Sequence, residues 1–208
     1  MLLCDIGNTS YHFSNNNITY KKSCLEFFPD SIKEKIYYIC VNPNINESLE
    51  NLDNWINVAD YVNMNNYYSS MGIDRIIACE AVSNGVIVDA GSAITVDVVK
   101  EGVFEGGFIY PGLSAMKNTY KNISSALSYD FNFDLEMKKL PKNSQDAISY
   151  GYLKMFSNEV NSYKMEIILT GGDASKFLKL FAGATNNQNL IFEGMKKLIK
   201  LNNLDFLG

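Results

Sequence analysis

Histidine is almost missing from this chain: His12 is the only one in 208 residues, so metal clusters built on several imidazoles are excluded by count. Cysteine is scarce as well. Cys4, Cys24, Cys40 and Cys79 show no C-x-x-C spacing, and three of the four lie in apolar segments. They read as reduced, buried thiols and not as a zinc site. No G-x-x-x-x-G-K-[ST] sequence occurs, which removes the Walker type of phosphate loop. There is no long basic run, and 18 Lys plus Arg stand against 23 Asp plus Glu for a formal charge of -5, which argues against a nucleic acid partner. No basic region precedes the apolar run Met1 to Cys4, and that run stops at Asp5. Neither a signal peptide nor a transmembrane span is therefore expected; the expectation is a cytoplasmic protein with no membrane partner. What is abundant is core material, 47% apolar and 12% aromatic residues, enough for one large domain or two small ones.

Two stretches nearly coincide. Met1-Leu2-Leu3-Cys4 runs into Asp5-Ile6-Gly7-Asn8-Thr9, and Gly85-Val86-Ile87-Val88 runs into Asp89-Ala90-Gly91-Ser92-Ala93. An apolar strand ending in Asp-x-Gly and small polar residues delivers a carboxylate and free backbone N–H groups to one spot, which suits phosphate and a metal ion. The repeat divides the chain into halves, residues 1–83 and 84–208, with the last helix free to pack back on the first half.

In the first half the pattern predicts a β-β-β start with a hairpin at Ser14-Asn15-Asn16-Asn17 and a helix over 30–35. A strand over 36–41, a helix over 44–54 and a weaker strand around 55–58 follow. Residues 63–70, polar and tyrosine-rich, read as an exposed loop. A helix opens at Gly72-Ile73-Asp74-Arg75, with Ile73, Ile77 and Ala81 at spacing four. The second half predicts strands over 86–88, 94–99 and 103–109, and helices over 113–126 and 144–161. A strand over 166–169 and helices near 174–181 and 192–202 complete it. Two such α/β halves facing each other leave a cleft, into which both Asp-x-Gly turns would open.

Gly7 and Gly91 let the backbone approach a phosphate, and Asn8, Thr9 and Ser92 add short donors. One such turn alone is more often a plain strand-ending Asx turn; two in register favour a nucleotide site. Asp74 is the best general-base candidate, in a first helical turn where the dipole favours negative charge and beside Arg75. It could equally be a helix cap. Thr170-Gly171-Gly172-Asp173 suits the face of an adenine or ribose, or is an ordinary strand-to-helix turn. Tyr67 and Tyr68 are either substrate contacts or loop aromatics. His12 reads as a polar residue of the second strand within reach of phosphate.

Together these motifs resemble the type III pantothenate kinase family, in the acetate kinase, sugar kinase, Hsp70 and actin superfamily. The resemblance rests on residues 5–9, 72–75 and 89–97, on Gly106-Gly107-Phe108-Ile109-Tyr110-Pro111-Gly112, and on Asn189-Leu190-Ile191-Phe192-Glu193-Gly194. It implies duplicated ribonuclease H-like (actin-like ATPase) domains, mixed five-stranded sheets flanked by helices, with a cleft between the halves. It also implies an ATP-dependent kinase of pantothenate, the first step toward coenzyme A, working as a homodimer with the substrate site at the interface. Mg2+ and a monovalent cation, K+ or NH4+, are implied as cofactors.

Carried over by position, Asp5, Ile6, Gly7, Asn8, Thr9, Ser10, Tyr11 and His12 would serve the ATP phosphates, with Asp5 near magnesium, and Ser92, Gly171 and Gly172 would also touch ATP. Asp89 would hold the monovalent cation. Gly72, Ile73, Asp74 and Arg75 would form the pantothenate wall with Asp74 as base, and Tyr68 matches the substrate tyrosine. Ser144 would reach the substrate across the dimer interface. Ser92 and Ser144 replace threonines of the family and keep the hydroxyl, while His12 stands where a lysine is common. The rivals are a superfamily kinase acting on another small hydroxylated substrate, and a non-catalytic accessory factor for transcription.

Overall fold

The computed structural model describes residues 1–16 and 18–204. Asn17, the end of the expected 14–17 turn, and residues 205–208 of the expected second domain lie outside the described residues. The order of elements is β1 (Leu2–Ile6), β2 (Ser10–Asn15), β3 (Ile18–Ser23), β4 (Ile36–Cys40), α1 (Pro43–Leu49), β5 (Trp55–Asn57) and α2 (Ile73–Ala81). Then come β6 (Gly85–Ala90), β7 (Ala93–Lys100), β8 (Val103–Pro111), α3 (Leu113–Ile123) and α4 (Ser144–Ser162). The last are β9 (Ile167–Thr170), α5 (Ala174–Phe177), β10 (Thr185–Asn186) and α6 (Leu190–Leu201). Two compact units result: Met1–Val82 with the chain from Asn189, and Ser83–Gln188.

In the first unit the sheet order is β3-β2-β1-β4-β5. β1, β2 and β3 pair antiparallel, and β4 and β5 extend the sheet in parallel. Side chains of a strand alternate between faces. Leu2, Cys4 and Ile6 therefore enter one core with Tyr11, Phe13, Phe27 and Trp55. Leu3 points the other way, into a core with Ile39 and with Ile77, Phe192, Met195 and Ile199 of α2 and α6. The same alternation puts Asp5 on the α2 and α6 face. Those helices meet at Gly194: a Cβ there would lie 1.9 Å from the carbonyl oxygen of Ile77. Only glycine fits, because backbone faces backbone. Gly194→Ala should cost about 1–3 kcal/mol of stability, the usual range for overpacking, read as a lower thermal midpoint; an unchanged midpoint would contradict this packing.

The second unit repeats the plan. Its sheet order is β10-β9-β6-β7-β8, with β6, β7 and β8 antiparallel and β6, β9 and β10 parallel. β6 thus plays the part of β1, and Asp89 that of Asp5. Val86, Val88 and Ala90 face a core with Tyr152, Phe156, Phe177 and Phe181. Asp89 lies on the opposite face, with its strand neighbour Thr170 and partner Thr95. Gly106, at φ +138, sits where the β7–β8 register shifts between Val98 and Val99. Gly106 pairs with Val98 and Phe104 with Val99, so Glu105 between them is the extra residue of a bulge in an edge strand.

Several elements differ from the sequence pattern. The helix expected over 30–35 is only a 3-10 turn at Pro29–Ser31. The Asn54 amide donates to the carbonyls of Ile32 and Glu34, each at 2.9 Å, and holds that backbone out of a helix. The helix expected over 44–54 is α1, capped by Asn42 and ended at Leu49. Of the helix expected over 174–181 only the four residues of α5 are regular; Phe177 at its end and Phe181 in the turns after it are both buried. The two-residue strand β10 is too short to leave a sequence pattern. All four cysteines are free, but Cys24 and Cys40 are only half-buried.

Candidate active site

The first Asp-x-Gly turn joins β1 to β2. Asp5 is half-buried and lies directly opposite His12 in the antiparallel ladder. The Gly7 N–H donates to the Ser10 carbonyl at 3.0 Å and so closes the turn. In the second unit the Gly91 N–H donates to the Ala93 carbonyl at 3.1 Å. The glycine amides expected to be free are thus spent on turn closure, and exposed donors are left at Asn8, Thr9 and Ser92. Ile6 and Tyr11 are core residues; Tyr11 packs edge-on against Phe27 at 4.7 Å, so only their main chain faces the turn. His12 is half-buried with its ring 4.9 Å from that of Phe192. Burial, then the Lys21 ammonium, push its pKa below the usual imidazole value, so the ring is neutral at pH 7.

The wall at the start of α2 is built by close packing of small and charged groups. Gly72 is the helix N-cap residue, and a Cβ on it would come 2.6 Å from Asp74 Oδ1. The Asp74 carboxylate occupies that space and accepts the Arg75 N–H at 2.9 Å. It is half-buried, and caps the helix while one oxygen remains beyond that bond. Arg75 is a buried charge, 7% exposed. Its guanidinium donates to the Tyr68 hydroxyl at 2.6 Å and lies 5.9 Å from that ring's centre. The structure therefore brings Tyr68, Gly72, Ile73, Asp74 and Arg75 together. The neighbouring Tyr67 hydroxyl bonds instead to Glu80 Oε1 at 2.9 Å. Neither tyrosine contact could be read from the sequence, since both connect a patternless loop to a helix.

In the second unit three loops meet. Gly171, at φ +87, has no room for a side chain: a Cβ would lie 2.3 Å from Asp89 Oδ1 and 2.8 Å from the Ala90 carbonyl. The Asp173 N–H donates to the Ala90 carbonyl at 2.9 Å, and a Cβ on Gly112 would lie 2.2 Å from the Ser92 carbonyl oxygen. Asp89, Ser92, Gly171 and Gly172 are thus gathered at one end of the sheet, with Gly112, the last residue of the 106–112 motif, as a support. Asp97, also on the Asp89 face, is fully buried. Ser144 is the first residue of α4. Asn143, not Ser144, caps that helix: its side-chain oxygen accepts the Asp146 N–H at 2.9 Å, and its amide donates to the Asp146 carboxylate at 2.8 Å. The exposed Ser144 hydroxyl is not used by the cap.

Among the described residues no three His, Cys, Asp or Glu side chains converge as a metal cage. A hydrated magnesium ion takes one or two carboxylates and completes its shell with water and substrate phosphates, and the half-buried Asp5 is a carboxylate of the kind that could hold it. No helix among the described residues is long and apolar enough to cross a membrane.

Two sheets of one strand order, each carrying an aspartate near the end of its first strand, make a duplicated ribonuclease H-like plan. A solved Sinorhizobium meliloti structure, described as a 2-dehydro-3-deoxygalactonokinase protein, has this fold, with TM-score 0.54 at 8% identity over 97% of this chain and 98% of its own. The family model of type III pantothenate kinase matches residues 19–165. The type III pantothenate kinase of Sulfurimonas denitrificans is 58% identical over 98% of this chain and its own full length. That of Campylobacter jejuni is 39% identical over 97% of this chain and 98% of its own. A solved Campylobacter jejuni structure, described as a Baf family transcriptional activator, covers 98% of this chain and 100% of its own with TM-score 0.87 and 38% identity. The chain belongs to the type III pantothenate kinase family and is a kinase.

Proposed function

We propose that the protein transfers the γ-phosphoryl group of ATP to the terminal hydroxyl of pantothenate, giving 4'-phosphopantothenate and ADP, the first step of coenzyme A biosynthesis. The observation that carries this reading is the α2 wall, a half-buried Asp74 beside a buried Arg75 that is bonded to Tyr68. Asp74 accepts the hydroxyl proton as the pantothenate oxygen attacks the γ-phosphorus, and the bond to the bridging oxygen of ADP breaks in line. Arg75 and Tyr68, locked to each other, orient the acceptor. Asn8, Thr9 and Ser10 offer donors to phosphate oxygens, with neutral His12 adding a hydrogen-bond donor and no charge.

In the second unit Ser92, Gly171 and Gly172 serve the nucleotide, Gly171 by leaving the backbone bare. Asp5 would hold magnesium, which would supply positive charge at the phosphates, and Asp89 would hold a monovalent cation, K+ or NH4+. The working form is a homodimer in which Ser144 of one protomer serves its partner's substrate, and the setting is cytoplasmic. Most of the rate comes from positioning and from fixed charge.

The test is a coupled ADP assay with ATP, magnesium and a panel of acceptors that includes pantothenate, a sugar and acetate. Turnover with pantothenate alone is expected, and it should fall when sodium replaces potassium. Indifference to that swap removes the cation from Asp89. The description of the Campylobacter jejuni structure as a transcriptional activator favours one other reading, a non-catalytic accessory factor. Binding of ATP with no acceptor turned over would support it.

A further inference from the structure

We propose that Tyr67 and Glu80 form a positioning brace that fixes the Tyr68–Arg75 pair, and that this brace sets the affinity for the acceptor substrate. The inference rests on the pantothenate reading above. Tyr67 has extended backbone, φ -135 and ψ 158. Its side chain and that of Tyr68 end on the same helix. The Tyr68 hydroxyl accepts from Arg75 at 2.6 Å near the start of α2, and the Tyr67 hydroxyl donates to Glu80 Oε1 at 2.9 Å near its end. Two adjacent residues thus tie the loop to α2 at points five residues apart, more than one helical turn. A single tie would leave the loop free to pivot about it; two ties fix its rotation.

Glu80 is otherwise badly placed. It is the second-last residue of α2, where the negative end of the helix dipole disfavours a carboxylate. Lys197 of α6 offsets this by donating to the Glu80 carbonyl at 2.6 Å. A carboxylate in such a position, with its oxygen engaged by a tyrosine 13 residues upstream, is accounted for by what it holds. Glu80 touches no substrate in this scheme; it acts through Tyr67 on Tyr68, and through Tyr68 on the Arg75 guanidinium.

Glu80→Ala and Tyr67→Phe both remove the brace, whereas Glu80→Gln keeps an oxygen that can accept from Tyr67. The expected result is a five- to twentyfold rise in KM for pantothenate in Glu80→Ala and in Tyr67→Phe. KM for ATP should stay constant, kcat should stay within about twofold, and Glu80→Gln should be near wild type. Hydrogen exchange at the amides of residues 67–72 should quicken in the first two variants and not in the third. A purely structural role would lower the thermal midpoint without separating the two KM values. Equal pantothenate KM in wild type and Glu80→Ala overturns the brace. If the wild type phosphorylates some other acceptor or none, the substrate reading falls instead, and exchange rates unchanged by either variant would still overturn the brace.

Discussion

Asp74→Asn should lose about a hundred- to ten-thousandfold in kcat, the usual range for removing a general base, with its thermal midpoint unchanged. The two halves of that expectation come from two different atoms of one group. Oδ1 of Asp74 caps α2 by accepting the Arg75 N–H at 2.9 Å, and the side-chain oxygen of asparagine can make the same bond. The helix start, and with it the Arg75–Tyr68 pair, should survive. What asparagine cannot do is take a proton from an alcohol. Because ground-state contacts are kept, KM for pantothenate should move little while kcat falls. Activity near that of the wild type would exclude Asp74 as base and reduce it to a helix cap.

The second large effect belongs to Gly171→Ala. Here the added Cβ meets Asp89 Oδ1 at 2.3 Å and the main chain of Ala90 at 2.8 Å, at a φ of +87 that other residues adopt at a cost. The carboxylate and the Asp89–Ala90 backbone cannot both stay in place. KM for ATP should therefore rise about tenfold or more, each tenfold corresponding to about 1.4 kcal/mol, and the potassium dependence should weaken along with it. Gly172→Ala is the natural control for stability, since a Cβ on Gly172 meets nothing within 4 Å. Isothermal titration with a non-hydrolysable ATP analogue reads the affinity directly. Equal affinity in Gly171→Ala and wild type would mean that this turn does not serve the nucleotide.

The parts of the fold visible in the sequence are those with a strong local pattern. The apolar strands that carry Asp5 and Asp89, the long helix α4 and the period of α2 all have enough residues to show their spacing. The duplication was visible for the same reason, as two near-identical strings. The segment over 30–35 has helix-forming residues, yet a distant side chain, Asn54, decides its backbone. β10 leaves no pattern, because two residues carry no period. At the site, residue types were legible but partners were not. Gly194 and Gly112 stand in legible motifs, but the reason for them, the facing carbonyls of Ile77 and Ser92, is not written in the sequence. Tyr67 and Tyr68 are indistinguishable in the sequence, yet one is bonded to Glu80 and the other to Arg75. The Gly7 and Gly91 amides looked available because turn closure by Ser10 and Ala93 leaves no mark on composition.

The most direct measurement is the product formed by the purified protein from ATP and pantothenate with magnesium and potassium, followed by phosphorus NMR and mass spectrometry. One 4'-phosphopantothenate for every ADP, carrying the phosphate on the terminal hydroxyl, is the result the α2 wall predicts. ADP release without a phosphorylated acceptor, or phosphate found only on some other alcohol, would contradict it.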